Sequence, residues 1–164
     1  MIRSTVLIYA TAWLIAFGCS TRQNDSREDN AQDDGIALAD LDGNIISLES
    51  YEGKVVFLNL WATWCGPCIK EMPSIAQLMD DVKDEDVAFL FASNEEVKKI
   101  QAFAAKRDFP FNYVQLKTPL EDLNVAVIPV TYLIDKNGHV QYTEKGMRDW
   151  STPESKQLIT SLLN

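Results

Sequence analysis

A short apolar run, Lys54-Val-Val-Phe-Leu-Asn-Leu60, is followed within a few residues by Cys65-Gly66-Pro67-Cys68 and then by a helix-like stretch. Successive apolar residues in so short a segment suit a strand buried on both faces of a central sheet. Beyond the cysteines, Ile69, Met72, Ile75, Leu78 and Met79 recur at the spacing of one helical face. Pro73 lies inside that stretch and is expected to kink it, since an interior proline removes an i→i−4 hydrogen bond. The two cysteines therefore stand at a strand-to-helix junction.

That position defines their chemistry. Residues three apart share a helical face, so Cys65 and Cys68 can come within disulfide reach with little backbone movement. The first turn of a helix has unpaired N–H groups and the positive end of the macrodipole, both of which favour a thiolate at Cys65. A pKa of ~7 in place of ~8.5 would make about half of it thiolate at neutral pH. Cys65 is accordingly the expected nucleophile, partly exposed, and Cys68, a turn deeper, the resolving thiol. Gly66 is expected to let the chain turn tightly, and Pro67 suits a first turn where its missing N–H has no partner to lose. Zinc is a poor fit, because only Cys19 and His139 remain as further Cys or His ligands. A purely structural bridge closing so short a loop is worth only about 2 kcal/mol. No metal or cofactor is expected, and His139, after a turn, reads as a surface residue.

Ile36–Ala39 and Ile45–Leu48 flank Asp42-Gly43, a hairpin signal. Val87–Ala92 reads as a strand, and Ser93-Asn-Glu-Glu96 has the form of a capping box starting a helix that reaches about Lys106. Pro119–Leu123 suggests a short helix. Val130–Ile134 and Val140–Thr143 flank a second turn at Asp135–Gly138, and Ser151-Thr-Pro-Glu154 opens a last helix with Leu158, Ile159, Leu162 and Leu163 on one face. Strands alternate with helices, then a hairpin and a helix follow. The pattern predicts an α/β domain with a mixed central sheet, helices on both faces and an N-terminal β-hairpin extension.

The block Trp61-Ala-Thr-Trp-Cys-Gly-Pro-Cys-Ile-Lys-Glu-Met-Pro73 resembles the active-site stretch of membrane-tethered thioredoxin-like proteins, the TlpA/ResA-type thiol–disulfide oxidoreductases. The resemblance extends over residues 36–162 and includes Asp42-Gly43, Ile128-Pro-Val-Thr131 and Tyr132–Gly138. It implies a thioredoxin fold and disulfide exchange with protein substrates. Pro129 matches the family's cis-proline, beside which the Ile128 backbone could pair with an extended substrate. Ile128 is larger than the residue relatives often carry there and could narrow the site. Glu71, at Cys-x-x-Cys-x-x-Glu, matches an active-site glutamate that could take the Cys68 proton; the alternative is a solvated first-turn acid. Asn59 stands where cytosolic thioredoxins bury an acid; hydrogen bonding within a buried strand is its other reading. Trp64 fits an apolar docking surface or a cover for the site's edge, and Trp61 fits the core.

Residues 1–18 carry one charge, Arg3, ahead of an apolar segment of about thirteen residues. That is short of the ~20 needed to span a bilayer, so it reads as a secretory signal. Cys19 after Gly18 resembles a lipoprotein acceptor; plain secretion after Ala16-Phe-Gly18 and an uncleaved anchor are the alternatives. Each places the domain outside the cytosol, in a bacterial envelope, with Cys19 as lipid anchor in the first case. Residues 19–35 form a polar, acidic tether, and residues 36–164 the folded domain. The formal charge is −9, so with Arg3 removed the rest carries −10. Such a surface argues against nucleic acid. The expected partners are thiol- or disulfide-bearing envelope proteins and a membrane electron donor, with the protein itself a monomer. The Gly-Pro pair resembles reducing thioredoxins, which favours reduction, with haem-attachment cysteines in cytochrome c maturation as one target. A peroxiredoxin-like peroxidase would need Pro-x-x-x-Thr-x-x-Cys, but Leu58 and Ala62 occupy the first two positions. A thioredoxin-fold binding module without catalysis is the third possibility.

Overall fold

The structure, a computed structural model, describes residues 35–164. The expected signal, most of the tether and Cys19 lie outside the described residues. Seven strands form one sheet: β1 (Leu38–Ala39), β2 (Ile45–Ile46), β3 (Val55–Leu60), β4 (Val87–Ser93), β5 (Asn112–Leu116), β6 (Val130–Ile134) and β7 (Val140–Lys145). Three α-helices accompany them: α1 (Gly66–Asp81), α2 (Val97–Ala104) and α3 (Pro153–Ser161). The strand order is β2-β1-β5-β4-β3-β6-β7. β3 pairs parallel with β4 and antiparallel with β6, so the sheet is mixed and β3 lies inside it.

All six residues of β3 are buried, as its unbroken apolar run requires. Alternation sends them to two separate cores. Val55 and Phe57, with Trp61 just beyond the strand, join the side carrying buried residues of all three α-helices, among them Met72, Ile75, Ile100 and Ile159. Val56, Leu58 and Leu60 face the other side, which is closed by Ile36, Leu38, Leu116 and Val125. The helix on this second face is a single 3₁₀ turn, Leu48–Tyr51, whose two end residues pack there. On the α-helical side, Trp150 meets the Phe57 ring edge-on at 4.8 Å, and Trp61 meets Phe103 at 4.7 Å. Each such aromatic pair adds about 0.5–1.5 kcal/mol beyond burial.

Several local expectations change. β5 was not anticipated, and it pairs with both β4 and β1. Pro119–Leu123 is a run of turns, not a helix, closed by Asp122 N–H to Pro119 O and Val125 N–H to Leu120 O. Ser93 does not cap α2 but ends β4, and Glu96 occupies the N-cap with no side-chain bond. The expected helix through Lys106 ends at Ala104. α1 runs without interruption through Pro73, which faces solvent. At the first turn, the Asp40 carboxylate accepts the backbone N–H groups of Asp42 and Asn44, and Gly43 adopts φ 92°, where a side chain would be strained.

Among the described residues, no helix is long and apolar enough to cross a membrane.

Candidate active site

Cys65 caps α1. Its extended backbone (φ −80°, ψ 98°) leaves the sulfur to accept the Cys68 N–H at 3.2 Å. Pro67 sits in the first turn, where no N–H is missed. The two cysteines are joined in a disulfide with Cα atoms 5.3 Å apart, as expected of positions three apart on a helix. The sulfur that accepts the Cys68 N–H is the one such a donor would stabilise as a thiolate once the bridge is reduced.

Two expectations at this junction are corrected. Cys65 is only 3% exposed and Cys68 1%, so in the oxidised state both are enclosed and exposure does not separate them. The cause is the loop before β6, which lays the Ile128 carbonyl 3.7 Å from the Cys65 sulfur. A disulfide sulfur has no proton to donate, so this is packing rather than a hydrogen bond. Gly66 is also not a tight-turn glycine. Its φ lies outside the left-handed region, and a Cβ added to it would meet nothing within 4 Å. Gly66 and Pro67 are exposed beside the disulfide, leaving its rim open.

The Ile128–Pro129 peptide is cis, with Ile128 half-buried and Pro129 buried. Trp64, next to Cys65, is 73% exposed. Trp61 is in the core, as expected, and His139 is on the surface.

Glu71 is not a solvated acid. It is 2% exposed, on the sheet-facing side of α1. Asn59 Nδ2 donates to its Oε1 at 2.9 Å, and the Arg148 backbone N–H donates to its Oε2 at 3.2 Å. Asn59 also donates to Thr131 Oγ1 at 2.9 Å, across the β3–β6 pairing. The strand hydrogen bonding read for Asn59 and the carboxylate read for Glu71 therefore meet in one network. Burial pushes the Glu71 pKa from an ordinary 4.5 up to about 7. The two donors pull it back, and the Trp150 indole N–H does so more weakly, although it closes no hydrogen bond by geometry. A carboxyl half-ionised near neutrality can both take and return a proton.

Sequence reasoning missed the residues that hold Glu71. The segment 148–150 runs along α1, with Arg148 N–H on Glu71 and Trp150 N–H on Ser74 Oγ at 3.1 Å. Glu71, Ser74, Lys70, Met147 and Arg148 line an open groove of about 500 Å³. Also missed was Glu95, whose carboxylate takes both the N–H (2.7 Å) and the hydroxyl (2.9 Å) of Thr63, two residues before Cys65. No spacing signal links residues this far apart in the chain.

The AhpC/TSA family matches residues 28–143, most of the chain. The chain belongs to the AhpC/TSA family. Among relatives, the Bacillus subtilis thioredoxin-like protein YneN is 34% identical over 155 residues, which is 92% of this chain and 91% of YneN. The Geobacillus kaustophilus thiol-disulfide oxidoreductase ResA is 40% identical over 109 residues, 65% of this chain and 63% of that protein. The match thus spans a little less than two thirds of that ResA. Among solved structures, a proposed thiol:disulfide interchange protein DsbE of Chlorobium tepidum superposes with TM-score 0.68 at 26% identity, over 78% of this chain and 92% of that one. A proposed thiol-disulfide oxidoreductase of Bacteroides vulgatus gives 0.67 at 29%, over 77% and 91%. This AhpC/TSA member is therefore a thioredoxin-fold protein of the thiol–disulfide oxidoreductase type, with its Cys-x-x-Cys pair at Cys65 and Cys68.

Proposed function

We propose that the protein is an exported reductant of disulfides in envelope proteins, held at the membrane by a lipid on Cys19. The observation that carries the reading is the Cys65–Cys68 bridge at the start of α1, flanked by cis-Pro129 and backed by the buried Glu71. In the reduced protein the Cys65 thiolate attacks a substrate disulfide, forming a mixed disulfide and expelling one substrate thiolate. Cys68 gives its proton to Glu71 and attacks the Cys65 sulfur. The Cys65–Cys68 bond forms, the bond from Cys65 to substrate breaks, and the second substrate sulfur leaves with the electron pair. Two electrons have then passed to the substrate, and a membrane dithiol donor restores the pair.

Trp64 and the exposed rim at Gly66-Pro67 offer the substrate an apolar landing next to the sulfur, and the Ile128 backbone beside cis-Pro129 pairs with its extended chain. The Gly-Pro dipeptide supports the reducing direction, and haem-attachment cysteines are one target class. The monomeric chain suffices for each step.

Trapping tests the assignment. Cys68→Ser should accumulate disulfide-linked adducts on Cys65, because attack survives and resolution is lost. Cys65→Ser should capture few, and neither variant should complete turnover. Non-reducing electrophoresis with mass spectrometry reads both results. More adducts on Cys65→Ser than on Cys68→Ser would reverse the roles of the two sulfurs.

A further inference from the structure

Glu71 is surrounded by hydrogen-bond donors, yet among the described residues no ion pair includes it. The Arg148 that gives it a backbone N–H sends its guanidinium elsewhere. Nη1 lies 2.8 Å from Glu144 Oε2 and 2.8 Å from the Tyr142 hydroxyl. The guanidinium carbon stands 5.0 Å from the centre of the Trp150 ring. The Tyr142 hydroxyl donates to the same Glu144 oxygen at 2.6 Å, closing a three-member cluster.

The sheet explains why this cluster stands beside the site. Pairing sets Asn59 opposite Thr131, and Thr131 opposite Glu144. The three side chains stand abreast on one face, with Glu71 above Asn59 and Glu144 two strands away, roughly 10 Å at ordinary strand spacing. Arg148 lines the same groove as Glu71, so its side chain has two carboxylates within its neighbourhood and is bound to one. The other charged groups around Glu71 do not compete for it. Lys70 lines the groove from the exposed side of α1, and Asp149 is bonded to the N–H and hydroxyl of Ser151. From the sheet, the neutral Asn59 donates to it and to Thr131, and the Glu144 carboxylate on β7 repels its charge, the least of the causes that shift it.

We propose that Glu144 is a positioning residue, which holds the Arg148 guanidinium away from Glu71 and so keeps Glu71 a base strong enough to take the Cys68 proton. The inference rests on the proposed role of Glu71. A guanidinium turned onto that carboxylate would stabilise its charged form and weaken it as an acceptor. The raised pKa of Glu71, caused first by burial, agrees with the absence of a cation beside it.

The resolution step can be watched directly on the full-length protein. Reduced protein reacts with an aromatic disulfide, 5,5′-dithiobis(2-nitrobenzoate), placing one thionitrobenzoate on Cys65 and expelling the other as a first, separate burst of coloured thiolate. Attack by Cys68 then releases the bound one as a coloured thiolate, and stopped-flow absorbance gives the rate from about pH 5 to pH 9. In Glu144→Gln the acid limb of this profile should move down by about one pH unit. Glu144→Asp should restore it. In an Arg148→Gln background, the same Glu144→Gln change should move the limb clearly less, leaving only the loss of the Glu144 charge that itself raises Glu71, since no guanidinium is there to move. An unmoved limb in Glu144→Gln, or equal movement with and without Arg148, overturns the proposal. Glu71→Gln separates this from the reading beneath it. If that variant loses the limb while Glu144→Gln does not shift it, only the positioning role fails; if Glu71→Gln leaves the profile intact, both fail.

Discussion

Glu71 shows how far a single residue can depart from its sequence context. An acid three residues beyond Cys-x-x-Cys is as compatible with solvent as with burial, and α1 starts early enough that Glu71 falls beyond its first turn. What decides the matter is the segment 148–150 laid over α1, and no local pattern announces that contact. The buried carboxyl has a consequence for stability. Below about pH 4.5 both folded and unfolded chains hold its proton, whereas up to about pH 7 only the folded chain does. Its contribution to stability is thus greatest on the acid side, falls as pH rises through this window, and stays lower above it by about 3 kcal/mol. Glu71→Gln removes this titration, so between these pH values the unfolding free energy of the wild type should fall relative to that of the variant by about 3 kcal/mol. Urea unfolding at a series of pH values measures both curves. Parallel curves would mean that the buried carboxyl is not the group titrating.

At the scale of elements, legibility followed local signal. β3, α1 and the β6–β7 pair were readable because an unbroken apolar run, a helical stripe and a turn dipeptide each act within a few residues. β5 was not. Tyr113 and Val114 are both buried, on opposite faces, so its alternation is blurred. Its partners, β4 and β1, give it no adjacent hairpin turn in sequence. The capping box at Ser93 failed for a different reason. Ser93 is the last residue of β4, and Glu95 is committed to Thr63 and to the Ser93 hydroxyl. A motif that would cap a helix here ties the loop before Cys65 to the end of a strand. Glu95→Ala leaves the Thr63 N–H and hydroxyl without their acceptor, and a charged hydrogen bond of this kind is worth about 1.5–3 kcal/mol. A loss of that size in urea unfolding is expected, together with faster backbone exchange at residues 62–65. Exchange rates matching the wild type would show that the loop does not depend on the clamp.

For the whole molecule, the thioredoxin fold class was legible because the active-site block and the order of strands and helices agreed on it, while the proposed attachment to a membrane rests on sequence chemistry alone. A domain of formal charge −7 (residues 36–164) would be repelled by an anionic bilayer, so contact with membrane partners calls for an anchor that does not act through charge. The short apolar segment ending at Gly18 and Cys19 supplies one if Cys19 is diacylated, since two acyl chains anchor stably where one does not. Lipidation would also remove an odd thiol from the exported protein proposed above, whose other two cysteines are paired. Cys19→Ala should therefore leave the Cys65–Cys68 chemistry intact in purified protein while moving the protein from the membrane fraction to the soluble fraction. Fractionation with immunodetection, paired with mass spectrometry of the mature N-terminus, reads both points. Equal membrane retention of Cys19→Ala and wild type, or an N-terminus other than acylated Cys19, would leave plain secretion or an uncleaved anchor as the route out of the cytosol.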